Sequence, residues 1–190
     1  MSGIVVMGAS VGGLRALERV LGALPGGFGL PILVVQHRAD DQSELLHGLL
    51  DRHCALDVCE AEDKSELRPA RVHVAPGGYH TLVEDGHLEL STEAEVRFSR
   101  PSIDVALESA AHAYGPGVIG VVLTGANDDG ARGLAEVRRH GGTAIVQDPT
   151  TAENARMPEA AILAAKPQWI LSLDDIPARL VALSGAEASA

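Results

Sequence analysis

Residues 4–21 read IVVMGASVGGLRALERVL, and how this stretch is parsed decides the fold. Ile4, Val5, Val6 and Met7 form an unbroken apolar run, the mark of a strand buried on both faces. Gly8, Gly12 and Gly13 then surround Ser10, and Leu14, Leu17, Leu21 and Leu24 recur at the spacing of one helical face. Strand, tight glycine turn and helix is a unit that serves two chemistries. It cradles a phosphate on the free N–H groups of a helix N-terminus, or it lifts a serine hydroxyl above the edge of a sheet.

The same alternation continues along the chain. Strands are predicted at Gly3–Met7, Ile32–Gln36, Leu56–Glu60, Val118–Leu123, Thr143–Gln147 and Gln168–Leu171. Helices are predicted at Leu14–Leu24, Ser43–Arg52, Ser102–Tyr114, Gly130–His140, Pro158–Ala164 and Asp174–Leu183. Gly141 after one helix, Ser172 before another and Pro101 ahead of Ser102 are end signals. Such alternation predicts an α/β fold, a doubly wound, mostly parallel sheet with helices on both faces. With 46% hydrophobic but only 3% aromatic residues, the core is aliphatic. Residues 71–91, RVHVAPGGYHTLVEDGHLELS, switch to a two-residue period around Asp85-Gly86 and predict an antiparallel hairpin inserted at one sheet edge. The 190 residues suit a single catalytic-sized domain, 1–183, followed by a frayed tail at 184–190 with nothing to bury.

Composition excludes several classes. A formal net charge of −11 lacks the basic footprint of a nucleic-acid binder. No apolar run is long enough for a bilayer, and the N-terminus lacks a basic segment followed by an apolar one. A cytoplasmic protein without membrane insertion is therefore expected. Cys54 and Cys59, in CALDVC, match neither a zinc pair nor a redox C-x-x-C pair, and reduced thiols are expected. His73, His80 and His87 recur at an odd spacing that would alternate strand faces, and a turn intervenes. No metal and no cofactor are expected.

The phosphate cradle fits poorly. A dinucleotide site wants G-x-G-x-x-G and an acid at the tip of the second strand, but the turn reads GASVGG and that tip is His37. No Gly-Lys-Ser/Thr is present in the turn either. By contrast Gly8-Ala9-Ser10-Val11-Gly12 matches G-x-S-x-G in the strand-turn-helix context that motif needs, with the Val11 N–H placed to meet an oxyanion. Carboxyl ends of parallel strands share one edge, so groups at other strand tips can meet Ser10. Those groups are His37 after the second strand and Asp128 or Asp129 after VIGVVLTG. A serine needs a base, and the base needs an orienting acid.

Seven segments in this order, GASVGG, PILVVQH, VHVAPGGYH, RPSIDVALES, GVVLTGANDDGARGL, AIVQDPTTAENARMPEAAI and LSLDDI, resemble the catalytic domain of CheB-type protein-glutamate methylesterases of bacterial chemotaxis. The resemblance spans about Ile4 to Leu183. It implies a serine hydrolase with Ser10 as nucleophile, His37 as base and Asp129, rather than Asp128, as orienting acid. It also implies an oxyanion hole from the backbone of Val11 and Ala126. The implied reaction is hydrolysis of glutamate γ-methyl esters on chemoreceptor cytoplasmic helices, and in some relatives deamidation of receptor glutamines. Val11 stands where the family has Thr, Ala126 where it has Met, and Arg38-Ala39 where it has Met-Pro. Many relatives begin with a phosphoryl-accepting receiver domain. This sequence enters its first strand almost at Met1, so a stand-alone form gated by a separate regulatory protein, or a trimmed chain, is expected. Receptor helices are acidic, and Arg15, Arg38 and Arg132 are expected to rim the substrate site. The rival reading is a catalytically inactive CheB-like interaction domain in a sensory signalling complex, against which the intact Ser10, His37 and Asp129 argue.

Overall fold

A computed structural model describes residues 3–37 and 43–185. In chain order the elements are β1 (Ile4–Ala9), α1 (Gly13–Gly22), β2 (Ile32–Gln36), α2 (Ser43–Asp51), β3 (Asp57–Glu60), β4 (Arg71–Val74), β5 (His80–Glu84), β6 (His87–Ser91) and α3 (Ile103–Tyr114). There follow β7 (Val118–Val122), α4 (Ala131–Arg139), β8 (Thr143–Gln147), α5 (Arg156–Ala165), β9 (Trp169–Leu171) and α6 (Ile176–Ser184). Gly185 caps α6 in the left-handed region at φ 67°. The rest of the expected tail, residues 186–190, lies outside the described residues.

Seven strands form one sheet in the order β3-β4-β2-β1-β7-β8-β9, and every pairing in it is parallel. Strand periodicity sorts the side chains into two aliphatic layers. Val5, Met7 and Ala9 of β1 pack with Leu17 and Leu21 of α1 and with Leu50 of α2 and Leu180 of α6. Ile4 and Val6 face the other way, with Leu107 of α3, Leu134 of α4 and Ala161 of α5. A side chain at Gly8 would meet Ile103 at 2.3 Å, so glycine lets α3 press onto the end of β1.

Helix α1 leaves β1 toward one face, and α4 leaves β7 toward the other. The two strands are neighbours, so a crevice opens between the diverging connections at their carboxyl ends. Ser10 and the 124–130 segment enter that crevice.

The hairpin differs from its expected place. β5 and β6 pair as a separate two-stranded antiparallel sheet, and His87 of β6 adds one isolated antiparallel bridge to Glu66. They lie over α3, where the Val83 N–H donates to Ser109 Oγ at 3.0 Å and the Gly86 N–H to Tyr114 Oη at 2.9 Å. The start of the same alternating segment, Arg71–Val74, becomes β4 and slots between β2 and β3. Alternation alone did not separate it from the hairpin. Cys54 precedes β3 rather than lying in it, and both cysteines are free. Burial pushes the Cys59 thiol pKa up.

His73 of β4 is 1% exposed, its Nδ1 lies 3.6 Å from Cys59 Sγ, and its Nε2 has no partner among the described residues. Burial, helped by the nearby Arg71 charge, pushes its pKa down to about 4. An unfolded chain takes up that proton near pH 6.5, so stability falls as pH drops from about 6.5 toward 4. Urea unfolding should show an acid-side loss of about 3 kcal/mol in wild type from this group, absent in His73→Leu. Equal pH slopes for the two proteins would contradict it.

Candidate active site

Ser10 stands where β1 turns into α1, with Gly12 in the left-handed region at φ 77°. Its N–H donates to Thr124 O at 3.0 Å, and its carbonyl accepts from the Gly13 N–H at 2.9 Å and from Gln36 Nε2 at 2.8 Å. A Cβ at Gly125 would lie 2.9 Å from Ser10 Cβ, so the exit of β7 presses directly against the serine. His37 follows β2, and its N–H donates to Ala9 O at 3.0 Å.

The His37 ring reaches across to the third strand tip. Nε2 lies 2.7 Å from Asp129 Oδ2, and Nδ1 lies 3.2 Å from Asn127 Nδ2. Asn127 Oδ1 accepts from the Asp129 N–H at 3.2 Å, which turns the amide NH₂ toward the ring. Nδ1 is then the acceptor, and the ring proton sits on Nε2 and is donated to Asp129. The nitrogen left to act as a base is Nδ1. The Ser10 hydroxyl makes no hydrogen bond with His37 among the described residues, and Asn127 occupies the Nδ1 lone pair.

Asp129 is fully buried. Oδ2 accepts from His37 and from the Ile103 N–H at 2.7 Å, while Oδ1 accepts from Ser102 Oγ at 2.9 Å and from the Asp104 and Gly130 N–H groups at 3.0 Å. Three of these donors belong to the first turn of α3, whose dipole also favours a negative charge there. Burial by itself would raise the Asp129 pKa. The hydrogen bond from His37 and those from the Asp104 and Ile103 backbone outweigh it, and the carboxyl is held below its ordinary value.

Two other acids flank this group. Burial pushes the Asp104 carboxyl up, although it accepts from the Gly133 N–H at 2.8 Å. Asp128 is half exposed and paired with Arg97, whose hydrogen bond holds its carboxyl below the usual range. Of the two aspartates left open by strand-tip reasoning, Asp129 faces His37 and Asp128 faces away to Arg97.

A cavity of about 530 Å³ opens beside Ser10, lined in part by Arg15, Gln36 and Glu153. Val11, at the same turn, is 47% exposed. Ala126 follows Gly125, whose N–H and C=O are held by Asn154 and Met157. Arg132 is engaged elsewhere, with Glu108 at 2.5 Å and Asp104 at 3.8 Å. Arg38 lies outside the described residues.

Four residues near the site were not singled out as site residues by sequence reasoning. Ser102 was visible only as a helix start. Gln36 was visible only as a polar end to an apolar strand, and Asn127 carried no signal beyond its turn. His80, part of a family-like segment, is buried, accepts from the Ser102 N–H at 3.2 Å and bonds Ala94 O at 3.0 Å, so it fixes the start of α3.

The profile of the CheB methylesterase family matches residues 5–180. A Leptospira interrogans protein named "Putative protein-glutamate methylesterase/protein-glutamine glutaminase" is 45% identical over 173 residues, 90% of each chain. The protein-glutamate methylesterase FrzG of Myxococcus xanthus is 41% identical over 179 residues, covering 94% of this chain and 54% of that one. Among solved structures, the Thermotoga maritima CheB methylesterase catalytic domain matches with a TM-score of 0.92 and 36% identity, covering 96% of this chain and all of that one.

Ser102 both caps α3, accepting from the Val105 N–H at 3.4 Å, and donates to the buried carboxylate. Ser102→Ala should cost about 2 kcal/mol in urea unfolding at neutral pH. The deficit should shrink at low pH. A depressed acid contributes stability that is present above its unfolded value and lost as pH falls through its folded one. An unchanged urea midpoint at neutral pH would contradict this role.

Proposed function

Because the chain belongs to the CheB methylesterase family, we propose that it hydrolyses glutamate γ-methyl esters on the cytoplasmic helices of chemoreceptors. Ser10 is the nucleophile, His37 the base and Asp129 the orienting acid. The observation that carries the assignment is the 2.7 Å bond between His37 Nε2 and a fully buried, anionic Asp129, formed at the strand tips beside Ser10.

Ser10 Oγ attacks the ester carbonyl carbon while its proton passes to His37 Nδ1. Asp129 stabilises the imidazolium that results and keeps the ring in one orientation. Negative charge collects on the former carbonyl oxygen, where the N–H groups of Val11 and Ala126 receive it. Collapse of the tetrahedral intermediate expels methanol with the proton returned by His37, leaving an acyl-serine. Water, deprotonated by His37, then attacks the acyl carbon and releases the glutamate carboxylate and Ser10. The same sequence with ammonia leaving in place of methanol converts glutamine to glutamate, the second activity in the name of the Leptospira relative.

The −11 net charge opposes approach to acidic receptor helices. Arg15, exposed and lining the cavity beside Ser10, is the cation placed to meet them.

Methanol release from methylated receptor membranes tests the reading. Ser10→Ala should lose three or more orders of magnitude in kcat, because triad members act as a unit. Asp129→Asn should lose about four orders, because an amide cannot accept every hydrogen bond made to the carboxylate and the ring loses its orientation. A Ser10→Ala rate equal to wild type would remove the Ser10 mechanism, and a wild-type rate no higher than the membranes alone would favour the noncatalytic interaction domain instead. Arg15→Gln should lower kcat/KM several-fold at low salt, by about one order at most, and the gap should close as salt rises. A gap independent of salt would remove Arg15 from recognition.

A further inference from the structure

We infer that Gln36 is a positioning residue that aims the oxyanion-binding N–H of Val11, an inference that rests on the hydrolase reading above. Gln36 ends β2 on the face already occupied by Ile32 and Val34, where the strand pattern calls for an apolar side chain. It is 9% exposed and sits beneath the first turn of α1. One amide nitrogen serves both catalytic strands, donating to Ser10 O at 2.8 Å and to His37 O at 3.0 Å. Two carbonyl partners fix the amide's polarity, because only the NH₂ end can face both.

The cost of that orientation is visible. Gln36 Oε1 is buried and has no hydrogen-bond partner among the described residues. A buried acceptor left unpaired is unfavourable, and the orientation is held by the two bonds that the other end of the amide makes. The neighbouring chain also makes room for the amide, since a Cβ at Gly13 would fall 1.9 Å from Oε1.

The consequence follows from peptide planarity. In a trans peptide the C=O and the next N–H point in opposite directions. Gln36 Nε2 and the Gly13 N–H both hold the Ser10 carbonyl inward. The Val11 N–H, in the same peptide unit, is thereby turned outward. Thr124 Oγ1 donates to Val11 O at 2.9 Å and holds the following peptide unit as well. The donor that meets the developing oxyanion is thus set before substrate arrives, and electrostatic stabilisation of this kind depends on donors already in place.

The test compares wild type, Ser10→Ala and Gln36→Met, which keeps the shape of the side chain and removes both donors. Methanol release from methylated receptor membranes is measured with the rate at which a fluorophosphonate labels Ser10. Gln36→Met should lose about 10²-fold in kcat with little change in KM, and should label more slowly, because the lost interaction belongs to the transition state. Wild-type kcat in Gln36→Met, or a rise in KM alone, with Ser10→Ala dead, overturns this inference and leaves the hydrolase reading standing. Turnover by Ser10→Ala at the wild-type rate overturns Ser10 as the nucleophile and this inference with it. Should Gln36→Met not fold, the wild-type protein decides by NMR. Phosphonylation of Ser10 should move the Val11 amide proton downfield and slow its exchange, and an unmoved Val11 resonance overturns the inference.

Discussion

A carboxylate with no access to water governs this end of the molecule. Asp129 is ionised and fully buried, a state that is unfavourable unless every lone pair finds a donor. Its donors come from three separate parts of the chain. The N-cap and first turn of α3 supply Ser102, Ile103 and Asp104, the exit of β7 supplies Gly130, and the residue after β2 is His37. Helix α3 must therefore begin at one residue and approach the sheet closely. Gly8 and Gly130 both yield to Ile103, where a Cβ would meet its side chain at 2.3 and 2.7 Å. His80 then takes the Ser102 N–H. The hairpin that carries His80 is drawn over α3 rather than onto the edge of the main sheet.

Much of this was legible in the sequence, for identifiable reasons. Continuous apolar runs reported the buried parallel strands, and glycine flanked by serine reported the turn after β1. The strand-tip rule brought Ser10, His37 and an aspartate to one edge without any contact information. What stayed hidden depended on tertiary choice. Arg71–Val74 and the hairpin share one alternating pattern, and only packing decides that the first joins the large sheet while the second pairs with itself. Asp128 and Asp129 are adjacent and chemically equal. The distinction between them is that one points toward α3 and the other toward Arg97. Gln36 looked like the polar end of an apolar strand, because a side-chain bond to two backbone carbonyls leaves no trace in residue spacing.

The orientation of the histidine ring carries the argument one step further. With the acid on Nε2, the nitrogen that would serve as base in the proposed mechanism is Nδ1, the ring nitrogen nearer the backbone. A serine that uses Nδ1 must come close to the main chain of the histidine itself. The two main chains are in fact held together, since the His37 N–H binds Ala9 O at 3.0 Å and Gln36 spans the Ser10 and His37 carbonyls. Asn127 then explains how the ring keeps this tautomer while the serine is disengaged. Its amide donates to Nδ1, and its oxygen is fixed by the Asp129 backbone, so a proton on Nδ1 would face a second donor. In the proposed mechanism the Ser10 hydroxyl would replace that amide, exchanging one neutral donor for another with a small net change in hydrogen-bond energy. The acid therefore works at a distance. By fixing the proton on Nε2 it leaves Nδ1 open for whichever donor reaches it, and only the donor carrying a nucleophilic oxygen leads on to chemistry.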